Sequence, residues 1–250
     1  MYNLKILNVG DEVQIYYSPN YVIEGHKKDR KPRQYKSEIV KEAMLKKYRR
    51  DNLNKSRNKI YRLIKHNDDL DLFVTLTYKD KVSVQDSKKD ILKFFSKLKK
   101  VYKNLKYIWV LEFQENGNPH YHILCNLNIG IKKMSYRKTD MHKNIENEFN
   151  KKYWNKGFVD IKKIDDNRSG VGRYLASYIT KDLVEKEFLG RIYGYSRNLD
   201  KPFETKILEC CSLEELVSKF PDYHIKYTSS YGVGYKGNEN MNYIELEKND

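Results

Sequence analysis

The sequence predicts an α+β fold, an antiparallel sheet with helices packed on it, and three features carry that prediction. From residue 71 onward, runs of β-branched and aromatic residues alternate with longer stretches of helical periodicity, in the order β-α-β-β-α-β-α. Two of the strand runs follow one another across a short turn sequence, as antiparallel neighbours do. The residues are 13% aromatic, with 22 tyrosines, whereas disordered chains are poor in aromatics.

Each element has its own signature. Residues 2–17 read as a hairpin, two alternating runs around Asn8-Val9-Gly10-Asp11. Residues 26–65 carry 16 Lys and Arg against 4 Asp and Glu. Their apolar residues recur at helical spacing, first Ile39, Val40, Met44, Leu45 and Tyr48, then Ile60, Tyr61, Leu63 and Ile64, so two basic helices are expected. DLFVTLTY at 71–78 is a β-branched and aromatic strand. Residues 87–103 place Ile91, Phe94, Phe95, Leu98 and Val101 on one helical face. KYIWVLEF (106–113) and HYHILCNL (120–127) are strands on either side of the turn QENGNP. A helix is expected over 136–154, where Met141, Ile145, Phe149 and Tyr153 fall four apart. GFVDIKKI (157–164) is a strand, and 169–189 a helix carrying Tyr174, Leu175, Tyr178 and Ile179. The ending GNENMNYIELEKND reads as a loose polar tail.

Composition narrows the function. With 49 Lys and Arg against 34 Asp and Glu, the formal charge is +15, which points to a polyanionic partner, most simply nucleic acid. The charge is concentrated in 26–65, where a phosphate-binding surface competes with a merely solvated helical face. No stretch approaches the ~20 apolar residues of a membrane span. The N-terminus lacks the basic and apolar regions of a secretory signal. Cys125, Cys210 and Cys211 form neither a disulfide framework nor a C-x-x-C metal pattern, so a reducing cytoplasm is the expected compartment.

His120-Tyr121-His122 is the first candidate for chemistry. Residues two apart on a strand share a face, so both imidazoles project together. Alone, the pair reads equally as surface or core histidines; with a third donor it would hold a divalent ion. The preceding strand offers Glu112 and Gln114 on one face. A two-residue loop at Asn116-Gly117 would oppose Phe113 to His120, whereas a three-residue loop at 116–118 would oppose Gln114 to His120 and Glu112 to His122. A metal site therefore requires the odd-length loop. A carboxylate and two imidazoles leave open positions, suiting Mg²⁺ or Mn²⁺ at a phosphate oxygen.

The second candidate is Tyr174-Leu-Ala-Ser-Tyr178-Ile-Thr-Lys181, with Tyr174, Tyr178 and Lys181 on one helical stripe. A tyrosine hydroxyl attacks phosphorus once its proton is removed or its phenolate stabilised, and Lys181 is placed to do the latter or to protonate a leaving group. The plain alternative is an amphipathic helix packing its aromatics.

Taken together, Phe73-Val-Thr-Leu-Thr-Tyr78, Pro119-His-Tyr-His-Ile-Leu124 and Tyr174-x-x-x-Tyr178-x-x-Lys181 resemble the three motifs of the HUH endonucleases, the rolling-circle replication initiators (Rep proteins) of single-stranded DNA phages, plasmids and mobile elements. The resemblance covers about residues 70–200. It implies a central five-stranded antiparallel sheet flanked by helices, with the two histidines on a central strand and the tyrosine helix across the metal site. Four core strands are legible, so the fifth is expected from the N-terminal hairpin or from residues past 185. The implied organisation is a basic N-terminal extension (1–70), the endonuclease domain (71–200) and a C-terminal extension with a polar tail (201–250).

By the same resemblance, His120 and His122 are metal ligands and Glu112 the third, with Gln114 the alternative. Tyr178 is the nucleophile, and Tyr174 the second tyrosine of phage-type initiators, although Ser177 stands where a further Lys would follow it. Thr75 and Thr77 are expected to be structural. The implied activity is metal-dependent nicking and joining of single-stranded DNA at an origin hairpin, through a 5′-phosphotyrosine. Lys46, Lys47, Arg49, Arg50, Arg57, Arg62 and Arg197 are the candidate DNA contacts. Aromatics and arginines of GRIYGYSRNL (190–199) would stack on single-stranded DNA or pack on the sheet. Without a G-x-x-x-x-G-K-[ST] loop, a host helicase is expected as partner beside a host DNA polymerase, in the bacterial cytoplasm. The alternatives are a transposase or relaxase of the same chemistry, and a non-catalytic nucleic-acid-binding protein.

Overall fold

Period-two alternation in three short segments builds the sheet that carries the candidate site. In the computed structural model, which describes residues 2–22, 37–131, 138–164, 168–179, 191–208, 212–233 and 239–249, the chain divides into two compact units. These are Ser37–Asp200, and Met1–Lys36 together with Lys201–Asp250.

The first unit contains α1 (Glu38–Lys65), β3 (Leu72–Tyr78), α2 (Val84–Val101), β4 (Tyr107–Phe113), β5 (Pro119–Cys125) and α3 (Asp140–Phe149), which runs into a π-helical turn (Asn150–Trp154). After these come β6 (Gly157–Lys163), α4 (Arg168–Ser177) and β7 (Tyr193–Tyr195). Its five strands run β6-β3-β5-β4-β7, all antiparallel, with β5 at the centre. The fifth strand thus comes from residues past 185.

Each strand divides its side chains between two cores. Leu72, Val74 and Leu76 of β3, Trp109 and Leu111 of β4, and Tyr121 and Ile123 of β5 pack with Ile91, Phe94, Phe95 and Leu98 of α2 and Phe149 of α3. On the other face, Phe73, Ile108, Val110 and Leu124 pack with Ile60, Leu63 and Ile64 of α1 and Leu175 of α4. Both faces are covered, so these strands read as nearly continuous apolar runs. On the second face the pattern breaks: further along the same strands stand Thr75 and Thr77, Glu112, and His120 and His122.

Residues 38–65 form one helix rather than two. The two apolar stripes are separate, but nothing between them, from Arg49 to Lys59, is a Gly or Pro that would end a helix. Ser37 caps the start by accepting from the Val40 N–H at 3.3 Å. The N-terminal half is exposed, with Ile39 80% accessible, and only the C-terminal half packs on the sheet. Residues 26–36 of the expected basic segment lie outside the described residues. The boundary expected between 70 and 71 is replaced by this packing, since α1 shares a core with β3.

The second unit is the sheet β8-β1-β2-β10-β9, also antiparallel. It is made of β1 (Tyr2–Val9), β2 (Glu12–Val22), β8 (Phe203–Ile207), β9 (Tyr223–Val233) and β10 (Glu239–Lys248), with α5 (Leu213–Ser218) on one face. The N-terminal hairpin forms as expected, turning at Gly10-Asp11. The polar tail does not: residues 239–248 are an interior strand between β2 and β9. Ile244 and Leu246 alternate into the core, and two inward residues suffice because both backbone edges are paired.

Candidate metal and tyrosine site

The β4–β5 hairpin sets the geometry. Glu112 pairs with His120, Phe113 with Pro119, and the Gln114 N–H donates to the Asn118 carbonyl at 3.0 Å. The loop is therefore Glu115-Asn116-Gly117, with Gly117 at φ 81°. The loop has the odd length that a metal site requires but begins one residue earlier than 116–118. The register consequently differs from both expected pairings: Glu112, not Gln114 or Phe113, stands opposite His120. Asn118 explains the difference. Its side chain accepts from the Val82 N–H at 3.2 Å and donates to the Asp80 carbonyl at 3.1 Å, which ties it to the β3–α2 connection and keeps it in the ladder.

Glu112, His120 and His122 are a group among the described residues whose donor atoms lie within 4.8 Å of one another, as a metal ion would need. Glu112 Oε2 is 2.8 Å from His122 Nε2 and 3.7 Å from His120 Nδ1. An octahedral ion with bonds of 2.0–2.1 Å holds neighbouring donors about 3 Å apart, so these residues fit one after small adjustment. Gln114 is half-buried at the base of the loop.

The other nitrogens of the two rings face β3. Thr77 pairs with His120 and Thr75 with His122 across the ladder. Thr77 Oγ1 is 3.0 Å from His120 Nε2, and Thr75 Oγ1 is 3.5 Å from His122 Nδ1. Each imidazole thus has one nitrogen toward the carboxylate and one toward a hydroxyl, the arrangement that fixes ring orientation at metal centres. The sequence reading treated both threonines as structural. The clue to their contact with the rings was the Thr-x-Thr alternation facing His-x-His.

Burial governs the electrostatics. It lowers both imidazoles to about 4, the neighbouring His122 adding to the effect on His120 while Glu112 opposes it. The rings are therefore neutral, as ligands must be, across the physiological range. Burial also raises Glu112 above the usual carboxylate range, with His120 acting against it.

Tyr178 follows directly on the last residue of α4 and lies over this group. Its ring stacks on His122, centroids 3.5 Å apart and planes 15° from parallel. Its hydroxyl donates to the Tyr174 hydroxyl. Tyr174, half exposed, has its ring 5.7 Å from Phe73 and 5.0 Å from Tyr178. Burial, then the contact with Tyr174 and the charge of Glu112, raise the Tyr178 phenol above its ordinary value. Both tyrosines thus reach the metal face, whereas Lys181 lies outside the described residues. Among the basic candidates, Lys46 and Arg50 are exposed on the outer half of α1, and the side chains of Lys47 and Arg49 on that helix lie outside the description. Arg57 and Arg62 are half-buried further along α1, and Arg197 is exposed in the turn after β7.

Residues 71–183 match the family model of the ORF2-type replication-associated proteins. The chain is 31% identical over 147 residues to the Phasyl DNA replicon protein arp of Escherichia coli, a match covering 50% of this chain and 49% of that protein. The chain thus spans about half the length of the curated relative it matches. No solved structure matches. The segment holding the histidines, the carboxylate and both tyrosines is the one that matches the replication-associated proteins, and over that segment the resemblance to Rep-type replication initiators is borne out.

Proposed function

We propose that this chain initiates rolling-circle replication by nicking single-stranded DNA at an origin hairpin and retaining the 5′ end on Tyr178. The observation that carries the reading is the stacking of Tyr178 on His122, which puts a hydroxyl nucleophile beside a carboxylate and two neutral imidazoles. A divalent ion, Mg²⁺ or Mn²⁺, held by His120, His122 and Glu112 would supply Lewis-acid polarisation of the scissile phosphate.

The chain's own residues do the rest. Thr75 and Thr77 hold the rings. The buried Tyr178 phenol stays protonated until attack, and its hydrogen bond to Tyr174 points the oxygen and gives the proton a way out. The Tyr178 oxygen bonds to phosphorus, the P–O3′ bond breaks, and Lys181 protonates the departing 3′-oxygen. The free 3′-hydroxyl serves a host polymerase, with a host helicase opening the duplex. Because the phosphotyrosine ester conserves the bond energy, rejoining needs no nucleotide. Tyr174 cleaves the returning strand, and the basic outer half of α1 holds the duplex stem through phosphate contacts.

The test is a denaturing gel of protein incubated with single-stranded DNA of its parent element and Mn²⁺. A slow, protease-sensitive DNA species that disappears with EDTA and with Tyr178→Phe supports the proposal. DNA bound but neither cleaved nor linked by the wild-type protein contradicts it and leaves a non-catalytic binding protein.

A further inference from the structure

Strand β7 carries a feature that the metal and tyrosine chemistry does not use. Tyr195 pairs with Ile108 and Tyr193 with Val110, so both tyrosines stand on the face that carries Glu112, His120 and His122. The ladder continues with the Leu111 N–H donating to the Ile192 carbonyl at 2.7 Å. That register puts the exposed Arg191 at the position beside Glu112. Gly194 is the reason this edge can form: a Cβ there would fall 2.5 Å from Nε1 of Trp109, whose indole lies against the β7 backbone on the opposite face. The Tyr-Gly-Tyr sequence therefore docks the strand through its glycine and commits both tyrosines to the site face.

The two rings are 15° from parallel with centroids 6.4 Å apart, about twice the ~3.4 Å rise per nucleotide of a stacked strand. Both are half-buried, packed on Ile108 and Val110 on one side. At the far end of the row, the exposed Lys59 of α1 places its ammonium 4.9 Å from the Tyr195 ring centroid and hydrogen-bonds the Tyr195 hydroxyl. Two aromatic faces between two cations, in a row starting beside Glu112, form the combination that binds single strands with little sequence preference: rings for bases, charges for phosphates.

We infer that β7 is a base-stacking track for the single-stranded DNA adjoining the site, with Tyr193 and Tyr195 stacking on bases and Arg191 and Lys59 contacting phosphates. The inference rests on the reading of the site as one for single-stranded DNA. It concerns binding alone, so it is measured without metal.

The experiment uses the full chain in EDTA and a fluorescent mixed-sequence single-stranded oligonucleotide, read by anisotropy. Tyr193→Leu and Tyr195→Leu should each weaken binding about tenfold, within the range of base–aromatic stacking. Tyr→Phe at either position should restore it, because stacking needs the ring and not the hydroxyl. Leu variants that melt like wild type and bind equally tightly overturn the inference. Should the Leu variants not fold, an iodouridine oligonucleotide photocrosslinked to wild-type protein decides: adducts on Tyr193 or Tyr195 support the track, and adducts confined elsewhere overturn it. A missing covalent product in the Mn²⁺ gel would sink the nicking chemistry while leaving these binding results intact, so the two failures are distinguishable.

Discussion

The Tyr178 ring lies flat on His122, centroids 3.5 Å apart, while His122 Nε2 is 2.8 Å from the Glu112 carboxylate. Nucleophile, ligand and carboxylate come from α4, β5 and β4, and meet only through the tertiary fold. The contact predicts that Tyr178→Phe preserves the stacking and the fold, with an unchanged melting temperature, yet forms no DNA adduct.

Tyr174 has a different expectation. Its hydroxyl accepts from Tyr178 and its ring is half exposed. With Tyr174→Phe the first cleavage persists at reduced rate, whereas release of a closed circle is lost. Counting nicked against closed products over time on a circular substrate checks this; equal closure by the variant would assign Tyr174 to packing.

The threonines are expected to act through the imidazoles. Thr77→Val removes the oxygen 3.0 Å from His120 Nε2 and should weaken Mn²⁺ binding about 10- to 100-fold, the usual effect of losing such a partner. Thr77→Ser should retain affinity. Calorimetric titration with Mn²⁺ measures both, and equal affinity in the Val variant would reduce Thr77 to a strand residue.

The histidines give the metal-free protein a defined pH response. Folded, both rings titrate near 4, below the ordinary 6.5. As pH falls below 6.5 the unfolded chain takes up protons that the folded chain refuses, so stability declines through the window from 6.5 to 4 and levels off below it. Each ring contributes up to about 3 kcal/mol to that decline. Thermal melts in EDTA should show it, and His120→Asn/His122→Asn should flatten it; a wild-type protein as stable at pH 4.5 as at pH 7 would contradict the burial argument.

Asn118 is the register pin. Asn118→Ala leaves the Val82 N–H without its side-chain acceptor and frees the loop, costing about 1–3 kcal/mol. Urea unfolding measures the loss, and an accompanying fall in Mn²⁺ affinity would tie the register to the site.

Much of this was legible in the sequence because periodicity reports which side of a strand is buried. Phe73 to Tyr78, Tyr107 to Phe113 and Pro119 to Cys125 were readable as strands, and Glu112, His120 and His122 shared a face by parity alone. What escaped depended on partners distant in sequence. The exact pairing turned on Asn118 reaching Asp80 and Val82. Residues 239–248 looked like a tail because Asn, Glu and Lys surround only two inward residues, Ile244 and Leu246, and the strand exists because β2 and β9 pair with both its edges. The single helix over 38–65 was hidden because its outer half has no packed face to give a periodic signal.

The central claim is that Tyr178 is the group that takes the DNA. Mass spectrometry of the tryptic peptide left on DNA after a Mn²⁺ reaction tests it most directly. The account predicts a nucleotide-modified peptide with the added phosphate on Tyr178 in first-round product. Modification of Tyr174 alone, or of no tyrosine in cleaved material, would contradict it.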